Sequence, residues 1–590
     1  MRELWSELKD LWADRANRLA LAAGFALSLA FNWLGVLASI DKAPVAELLL
    51  PALGEAEGLR DRMVELRQKL YQARYATGDD NIILANERQA RQGRAEEHVE
   101  LVLEGRKVRL SESAIAYLRA FFLLHPYSET DSIHALQRMR SQRSVNPHLF
   151  QYGGGFLYFM GAAIFLAGKL GVYRLTSDVG FYIMNPAHIS AMYASAAWAI
   201  GLVAALVVIP ASLIARTLWG RTAAILAPLV CGAMPLFAVE SHFLKPFSYA
   251  APWMLLALHL IFRLGRPEPR TRDYVLAGLF SGLSVGCLYL TWFLPLAIAL
   301  MHAQRARRPE GWRPVLLAAL GFAAGLVAFN PSYVLSPGEF LGELSFLSQR
   351  AYSSTAARVL PFFIEQIPAA MSWPLWLLAL GGLALALRER IGEDRVLLTC
   401  AGLFAAQTIL THGTAHYAAP LFPVLALWAA RSAAHAVDSG WPGARALVAA
   451  ALGFGLLQQA FYASLFRQPE PGFTAAAWVH QNVPAGASLA LVRDAASKPF
   501  APVRLWRYEH RFPIAWIPDE SEAGPDSGPP PQYALVSRGL QRGGPVQRRL
   551  RFRGADYERL DSFERRPFLG SWFRATLIDY MDWRYYVYRR

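Results

Sequence analysis

The sequence predicts a polytopic α-helical membrane protein with about eleven transmembrane helices, juxtamembrane helices in the first outer loop, and a small C-terminal extracytoplasmic α/β domain. Three observations predict it. Hydrophobic residues make up 54% of the 590-residue chain, and they gather in repeated runs, many of them about 17 residues or longer, enough to cross a hydrocarbon layer about 30 Å thick. Arginine and lysine bunch in alternate connections between those runs, the asymmetry that orients membrane helices. Beyond about Phe466 the long apolar runs stop, and short apolar stretches separated by turn residues take over.

Residues 1–17 hold Arg2, Lys9 and Arg15 and form a cytoplasmic stretch, with Arg18 at the start of the first run. That run, 18–39, is longer than the apolar centre of a signal peptide and has no small-residue cleavage pattern, so it is expected to stay as an anchor. Further runs at 191–215, 222–239, 248–264, 274–289, 291–303, 315–335, 369–387, 396–411, 417–436 and 444–465 complete a transmembrane domain over 18–465. Threaded alternately, the helices put Arg216/Arg221, Arg263/Arg266/Arg270/Arg272, Arg305/Arg307/Arg308/Arg313, Arg388/Arg390/Arg395 and Arg431/Arg445 on the side of the amino end. The opposite short loops hold only Lys245, Arg350 and Arg358. The amino end is therefore cytoplasmic and the C-terminal domain lies outside the membrane.

Residues 41–190 form a large first outer loop. Gly153 to Val172 is long enough to span, but a crossing there would turn every later arginine cluster outward, so it reads as a helix lying in or dipping into the outer interface. Ala114 to Pro126 is too short to span and belongs to the same surface. Leu59 to Arg74 has helical apolar spacing, and Val99 to Leu110 alternates around Glu104-Gly105 like a β-hairpin. In the domain 466–590, Ser488 to Arg493, Tyr533 to Ser537 and the aromatic segment Trp583 to Arg590 read as strands, and Pro518 to Gln532 as a loop rich in Pro, Gly and acid. No repeat of 20 to 50 residues is evident, so neither a solenoid nor an inverted-repeat transporter gains support.

The formal charge of +14 does not argue for nucleic acid, because the arginines sit between apolar runs, where they set orientation or meet anionic lipid head groups. Cys231, Cys287 and Cys400 all lie inside apolar runs, which supports neither a disulfide framework nor a zinc cluster. No cofactor motif is present. A divalent metal stays open, with His412 and His416, four residues apart, as the one suggestive pair and interfacial hydrogen bonding as the plainer use of both.

Chemistry points first to Tyr127-Ser-Glu129-Thr-Asp131-Ser-Ile-His134, an acidic pair ahead of Asn146-Pro-His-Leu-Phe-Gln-Tyr152-Gly-Gly-Gly155. A carboxylate at the edge of a membrane cavity can take a proton from an attacking hydroxyl or amine. Asp131 also suits the amino end of a helix beginning near Ser132, a role compatible with catalysis because the helix would hold it rigidly. Glu240-Ser-His242-Phe-Leu-Lys245 falls at the outer end of the third run. Lys245 there is a candidate to hold a phosphate, and Glu240 and His242 are candidates to touch a polar substrate; the plain alternative is a lysine snorkelling to the interface. Arg350, Tyr352 and Arg358 in another outer loop offer a second phosphate site, or a solvated loop.

Taken in order, the acidic site in the first outer loop, Asn146-Pro followed by Tyr152-Gly-Gly and Tyr158, Ser241-His242-Phe at a helix end, Gly278-Leu-Phe-Ser-Gly-Leu-Ser284, Asn330-Pro331, and His416-Tyr followed by Pro420-Leu-Phe-Pro423 resemble the GT-C superfamily of membrane glycosyltransferases, which includes protein O-mannosyltransferases and the aminoarabinose transferases of lipid A. The resemblance covers most of 10–470. It implies transfer of a sugar from a polyprenyl-phosphate donor to a lipid, glycan or protein acceptor on the outer face. It also implies Asp131 or Glu129 as base, Lys245 with Arg350 or His416 steadying phosphate, and Tyr152, Glu240 and His242 in the binding site. Two departures stand out: Ser128-Glu129 replaces the family's Asp-Glu, and Lys-Pro-Phe follows Ser241-His242 where an aspartate is frequent.

A transporter or flippase for a lipid-linked or polar solute is the alternative, and it requires ionisable residues at mid-helix, which these runs almost lack. A structural scaffold in an envelope complex is a third reading, and it would tolerate neutralising both acids. Reporter fusions test the threading. A fusion at residue 134 is expected to report an extracytoplasmic position and one at residue 306 a cytoplasmic one; a cytosolic signal from segment 127–134 would overturn the scheme.

Overall fold

In this computed structural model, residues 2–36, 61, 64–65, 98–103, 106–111, 130–304, 311–351, 359–411, 415, 417–468, 471–484, 486–493, 514–517, 529–539, 549–552, 555–563 and 583–590 are described. Each of the eleven predicted apolar runs coincides largely with helix: Arg15–Trp33, Pro186–Ala205, Val208–Gly232, Pro246–Arg263, Thr271–Cys287, Leu294–Ala303, Arg313–Phe329, Trp373–Glu389, Gly392–Thr411, Leu421–Asp438 and Ala444–Phe466. By length and apolarity together, among the described residues, two helices suffice to cross a bilayer: Pro186–Gly232, taken as one unit, and Ala444–Phe466. A third qualifies if Val359–Met371 and Trp373–Glu389, bent by 112° at Ser372, count as one broken span.

The difference between eleven runs and two or three long spans has local causes. Gly220, at φ 85° and ψ −164°, interrupts the unit Val208–Gly232 where the sequence places a connection. Pro235 and Pro246 restart the chain as separate helices, Pro235–His242 and Pro246–Arg263, because proline suits a first turn and not an interior. Around Pro361 and Pro368 the backbone widens to a π-turn over Phe362–Gln366. The helix Gly154–Lys169, predicted to lie in or dip into the interface, has 16 residues, so its length is about 24 Å at the α-helical rise. The segments 59–74 and 114–126 fall wholly or largely outside the described residues.

Helices Thr271–Cys287 and Arg313–Phe329 cross most closely. A Cβ on Gly278 or Gly282 would strike the carbonyls of Ala318 and Phe322, and one on Gly321 or Gly325 those of Val275 and Leu279. Small residues four apart on both partners bring backbones together where lipid supplies no hydrophobic drive. This crossing fixes Asn330, which follows the second helix directly. Leu316, Leu320 and Val327 on that helix are exposed, an apolar surface of the kind that faces lipid tails.

The connections assigned to the cytoplasm touch one another. Arg221 bonds Asp14 at 2.5 Å, Arg216 donates to the Asp10 carbonyl at 3.1 Å, and Thr222 meets Asp438 at 2.8 Å. Arg431 binds Asp394 at 2.8 Å and Glu389 at 2.6 Å. Glu3, on the helix Arg2–Ala13, pairs with Arg263, Arg270 and Arg272; Glu7 pairs with Arg266 and with His259, the latter at 2.8 Å. These arginines were expected to orient the helices or meet lipid, and the structure also commits them to acids within the chain. The Arg221 hydrogen bond holds the Asp14 carboxyl well below the usual carboxylate range.

Beyond the helices, β1 (His98–Leu103) and β2 (Arg106–Ser111) form the predicted hairpin, with Leu103 opposite Arg106. A six-stranded sheet of order β4-β3-β5-β8-β7-β6 follows, with β3 (Leu489–Arg493), β4 (Ile514–Ile517), β5 (Tyr533–Gly539), β6 (Arg549–Phe552), β7 (Ala555–Phe563) and β8 (Trp583–Arg589). β3 runs parallel to β4 and β5, and the remaining pairs are antiparallel. Ala490, Ala534, Val536, Tyr557, Tyr586 and Tyr588 make its core. The C-terminal aromatics therefore finish this domain.

The Glu3/Glu7 clasp predicts a pH dependence. Burial alone would raise Glu7, but hydrogen bonds from His259 and Arg266 and the charge of Arg263 outweigh it and hold the carboxyl at about 2. A carboxyl lowered on folding adds stability above its unfolded value near 4.5, and that part is lost as pH falls toward 2. Unfolding in mild detergent is expected to show this acid-side loss for the wild type, and Glu7→Gln to flatten it.

Candidate active site

Thr130–Gln142 is helical from its first residue, so Asp131, expected to cap a helix beginning near Ser132, lies inside the opening turn instead. Ser132 is fully buried, and its hydroxyl donates to the Leu244 carbonyl at 3.3 Å. That bond seats the acidic turn on the segment that follows Pro235–His242 and carries Lys245. Asp131 and Lys245 are both half-buried. Proline at 246 explains the local path, since the residue before a proline is pushed to extended backbone, and Lys245 is extended at φ −125°, ψ 152°.

Glu240 is 3% exposed, and its Oε2 has no hydrogen-bond partner among the described residues. An ionised carboxylate in that position is costly unless a cation answers it: burial pushes the Glu240 carboxyl up to about 7, and the charge of Lys245 offsets only part of that. His242 is different. Its Nδ1 lies 2.7 Å from the Ala238 carbonyl, its Nε2 lies 3.0 Å from the Leu34 carbonyl, and its ring stacks on Phe466 at 3.8 Å. Offered by the sequence as a substrate contact, it ties three helices together with both nitrogens engaged.

The Asn146–Gly155 segment is fastened on all sides. Glu343, 0% exposed, accepts from the Phe150 amide at 2.9 and 3.0 Å and from the Gln151 amide at 2.5 Å. His148 meets Glu339 at 2.9 Å and Gln142 at 3.0 Å, and Asn146 donates to Ser336 at 2.9 Å. Asn330 accepts from the Gly154 amide at 2.6 Å and donates to the Gly286 carbonyl at 3.1 Å. The glycines answer this crowding: a Cβ on Gly153 would strike the Gly286 carbonyl, and one on Gly154 the Phe329 carbonyl. Tyr152, buried, meets Phe156 edge-on at 6.3 Å, and Tyr249 donates to the Gly155 carbonyl at 3.3 Å.

Glu129 and His416 lie outside the described residues, as do His412, Tyr352 and Arg358; Arg350 is placed by its backbone alone, in the helix Pro337–Ala351. Neighbours of His416 are informative. Tyr417 meets Phe247 edge-on at 5.8 Å, two residues after Lys245, and the Ala415 amide donates to Gln366 at 3.2 Å. Among the described residues no three His, Cys, Asp or Glu side chains gather as a metal site would.

Sequence reasoning passed over Glu339, Glu343, His148 and Arg138. The available signal for the first two was a pair of acids four apart in a segment opened by Pro337. Arg138 is 1% exposed and stands seven residues after Asp131, on the same face of its helix.

No family model and no curated protein matches the chain. Solved structures resemble it distantly. ArnT from Cupriavidus metallidurans bound to undecaprenyl phosphate is 14% identical, with 80% of this chain and 96% of that one covered and a TM-score of 0.42. Its apo form gives 15%, 77%, 92% and 0.41. The oligosaccharyltransferase AglB from Archaeoglobus fulgidus, in complex with an inhibitory peptide and a dolichol-phosphate, is 12% identical over 66% of this chain and 61% of its own, with a TM-score of 0.36.

Removing the Glu343 carboxylate is expected to loosen this segment. Glu343→Ala leaves two amides without an acceptor, at a cost of about 2 kcal/mol or more, and thermal unfolding of the detergent-solubilised protein should show it. Glu343→Gln, which keeps one acceptor oxygen, should lose less.

Proposed function

We propose that the protein is an integral-membrane glycosyltransferase that moves a sugar from a polyprenyl-phosphate donor to an envelope lipid, glycan or protein acceptor on the outer face. One observation carries the reading: the Ser132–Leu244 bond, which sets the acidic turn of Asp131 against the segment of Lys245 beside buried Glu240. A lipid-linked donor needs a carboxylate on the acceptor side and a cation on the phosphate side of one site at a helix end, and that is what these residues offer.

In this scheme the acceptor's oxygen or nitrogen attacks the anomeric carbon while the bond from that carbon to the phosphate oxygen breaks. Asp131, with Glu129 close in sequence, receives the acceptor's proton. Lys245 meets the charge that develops on the departing polyprenyl phosphate, with Arg350 and His416 as the further candidates on that side. Glu240 and Tyr152 shape the binding site, and His242 holds the helix end that presents Lys245.

The transporter reading gains no comparable support. A solute pathway places ionisable residues at mid-depth. Among the buried ones described, Arg263 and Asp394 sit within about a turn of a helix end. Glu343 and Arg431 lie about two turns inside theirs and are committed to partners in the chain, Glu343 to the Phe150 and Gln151 amides and Arg431 to Asp394 and Glu389.

Proteoliposomes supplied with labelled polyprenyl-phosphate sugars and an envelope-lipid extract test the proposal. Asp131→Asn is expected to lower the rate about 10²-fold or more, and Lys245→Ala to lower it about 10-fold or more, with both variants retaining wild-type thermal stability. Undiminished transfer by the Asp131→Asn, Glu129→Gln double variant would remove the assigned base.

A further inference from the structure

The helix Arg2–Ala13 presents four different stripes. Leu4 and Leu11 are buried against the body, with Leu8 half-buried between them at the same helical spacing. Glu3 and Glu7 are clasped by the arginines of the 263–272 connection and by His259. Ser6, Asp10 and Ala13 are exposed. The fourth stripe holds Trp5, 62% exposed, and Trp12, 55% exposed, with Lys9 between them and its Nζ 5.7 Å from the Trp5 ring.

Two indoles turned outward on a helix fixed by ion pairs need an occupant that is apolar on one side and wet on the other. The helix's place in the chain supplies one. One residue, Asp14, separates this helix from Arg15–Trp33, the first predicted span, so the helix lies within a turn of the bilayer boundary. Other exposed tryptophans among the described residues also mark helix ends: Trp312 and Trp441 at the ends with the arginine connections, and Trp33, Trp292 and Trp373 at the opposite ends. Tryptophan gathers at the two head-group layers because its ring is apolar while its N–H seeks water or a carbonyl. Lysine beside it reaches for lipid phosphate while its stem stays among the acyl chains.

We propose that Arg2–Ala13 lies flat in the lipid head-group layer, with Trp5, Lys9 and Trp12 in the bilayer surface, as a strap that fastens the 259–273 connection to the membrane. Full-length protein carrying one added cysteine at a time, Trp5→Cys, Lys9→Cys, Trp12→Cys or Ser6→Cys, is labelled with bimane and reconstituted; the native Cys231, Cys287 and Cys400 are buried. Lipids with a nitroxide near the head group should quench labels at 5, 9 and 12 at least twofold more than the label at 6, and aqueous iodide should show the reverse order. The Lys9→Cys form keeps both indoles, so it reports even if losing a tryptophan shifts the helix. Iodide quenching at 5, 9 and 12 equal to that at 6 overturns the proposal. Protection of those sites from both quenchers overturns it as well, because a protein surface would then cover them.

Discussion

A buried backbone amide that does not belong to a helix must find its acceptor inside the protein, and the packing around the candidate site depends on how Asn146–Gly155 meets that constraint. Phe150 and Gln151 use the Glu343 carboxylate, and Gly154 uses the Asn330 side chain. Asn330 stands where it does because Gly278, Gly282, Gly321 and Gly325 let two helices close to backbone contact just below it. The chain can then leave regular structure, turn through three glycines against Gly286 and Phe329, and re-enter a helix at Gly154. An unhelical stretch so fastened sets both the end of Thr130–Gln142, through His148 and Gln142, and the start of the next helix.

Much of this was legible in sequence because it rests on patterns with a physical period. Arginine sidedness grouped connections that the structure brings into contact with one another, such as Arg221 with Asp14 and Arg431 with Asp394. Alternation gave the hairpin of β1 and β2, and short apolar runs gave β3, β5 and β8 of the C-terminal sheet, while β4, β6 and β7 went unread. What stayed hidden depends on pairing across long separations. Glu343 looks like a solvated acid until Phe150, 193 positions away, is placed against it. His242 looked free to bind because nothing local shows the Leu34 carbonyl or the Phe466 ring. Breaks were hidden too: prolines at 361 and 368 announce a disturbance, but not the 112° bend at Ser372.

The two faces solve their electrostatics differently. On the side of the amino end, cations exceed acids, and Glu3 alone engages Arg263, Arg270 and Arg272, so mutual repulsion among crowded arginines is relieved by one helix laid across them. Partly exposed pairs of this kind contribute little singly and more as a network. The opposite face spends its buried charge on positioning. Glu343 has amides for partners, whereas Glu240 keeps one oxygen without a partner among the described residues.

That contrast bears on which carboxylate does chemistry. A buried acid already saturated by amides, as Glu343 is, has little to gain from accepting a proton, since protonation would forfeit charge-assisted hydrogen bonds. Burial pushes the Glu240 carboxyl up to about 7, the charge of Lys245 offsetting only part of that, and at 3% exposure it is closed to an acceptor arriving from water. Asp131 differs from both in position. It is half-buried, within reach of an acceptor arriving from water, and it is held at the first turn of a helix whose next residue is pinned to Leu244. A helix amino end favours negative charge, and in the proposed scheme the base takes its proton on one side of the reacting carbon while negative charge leaves on the other.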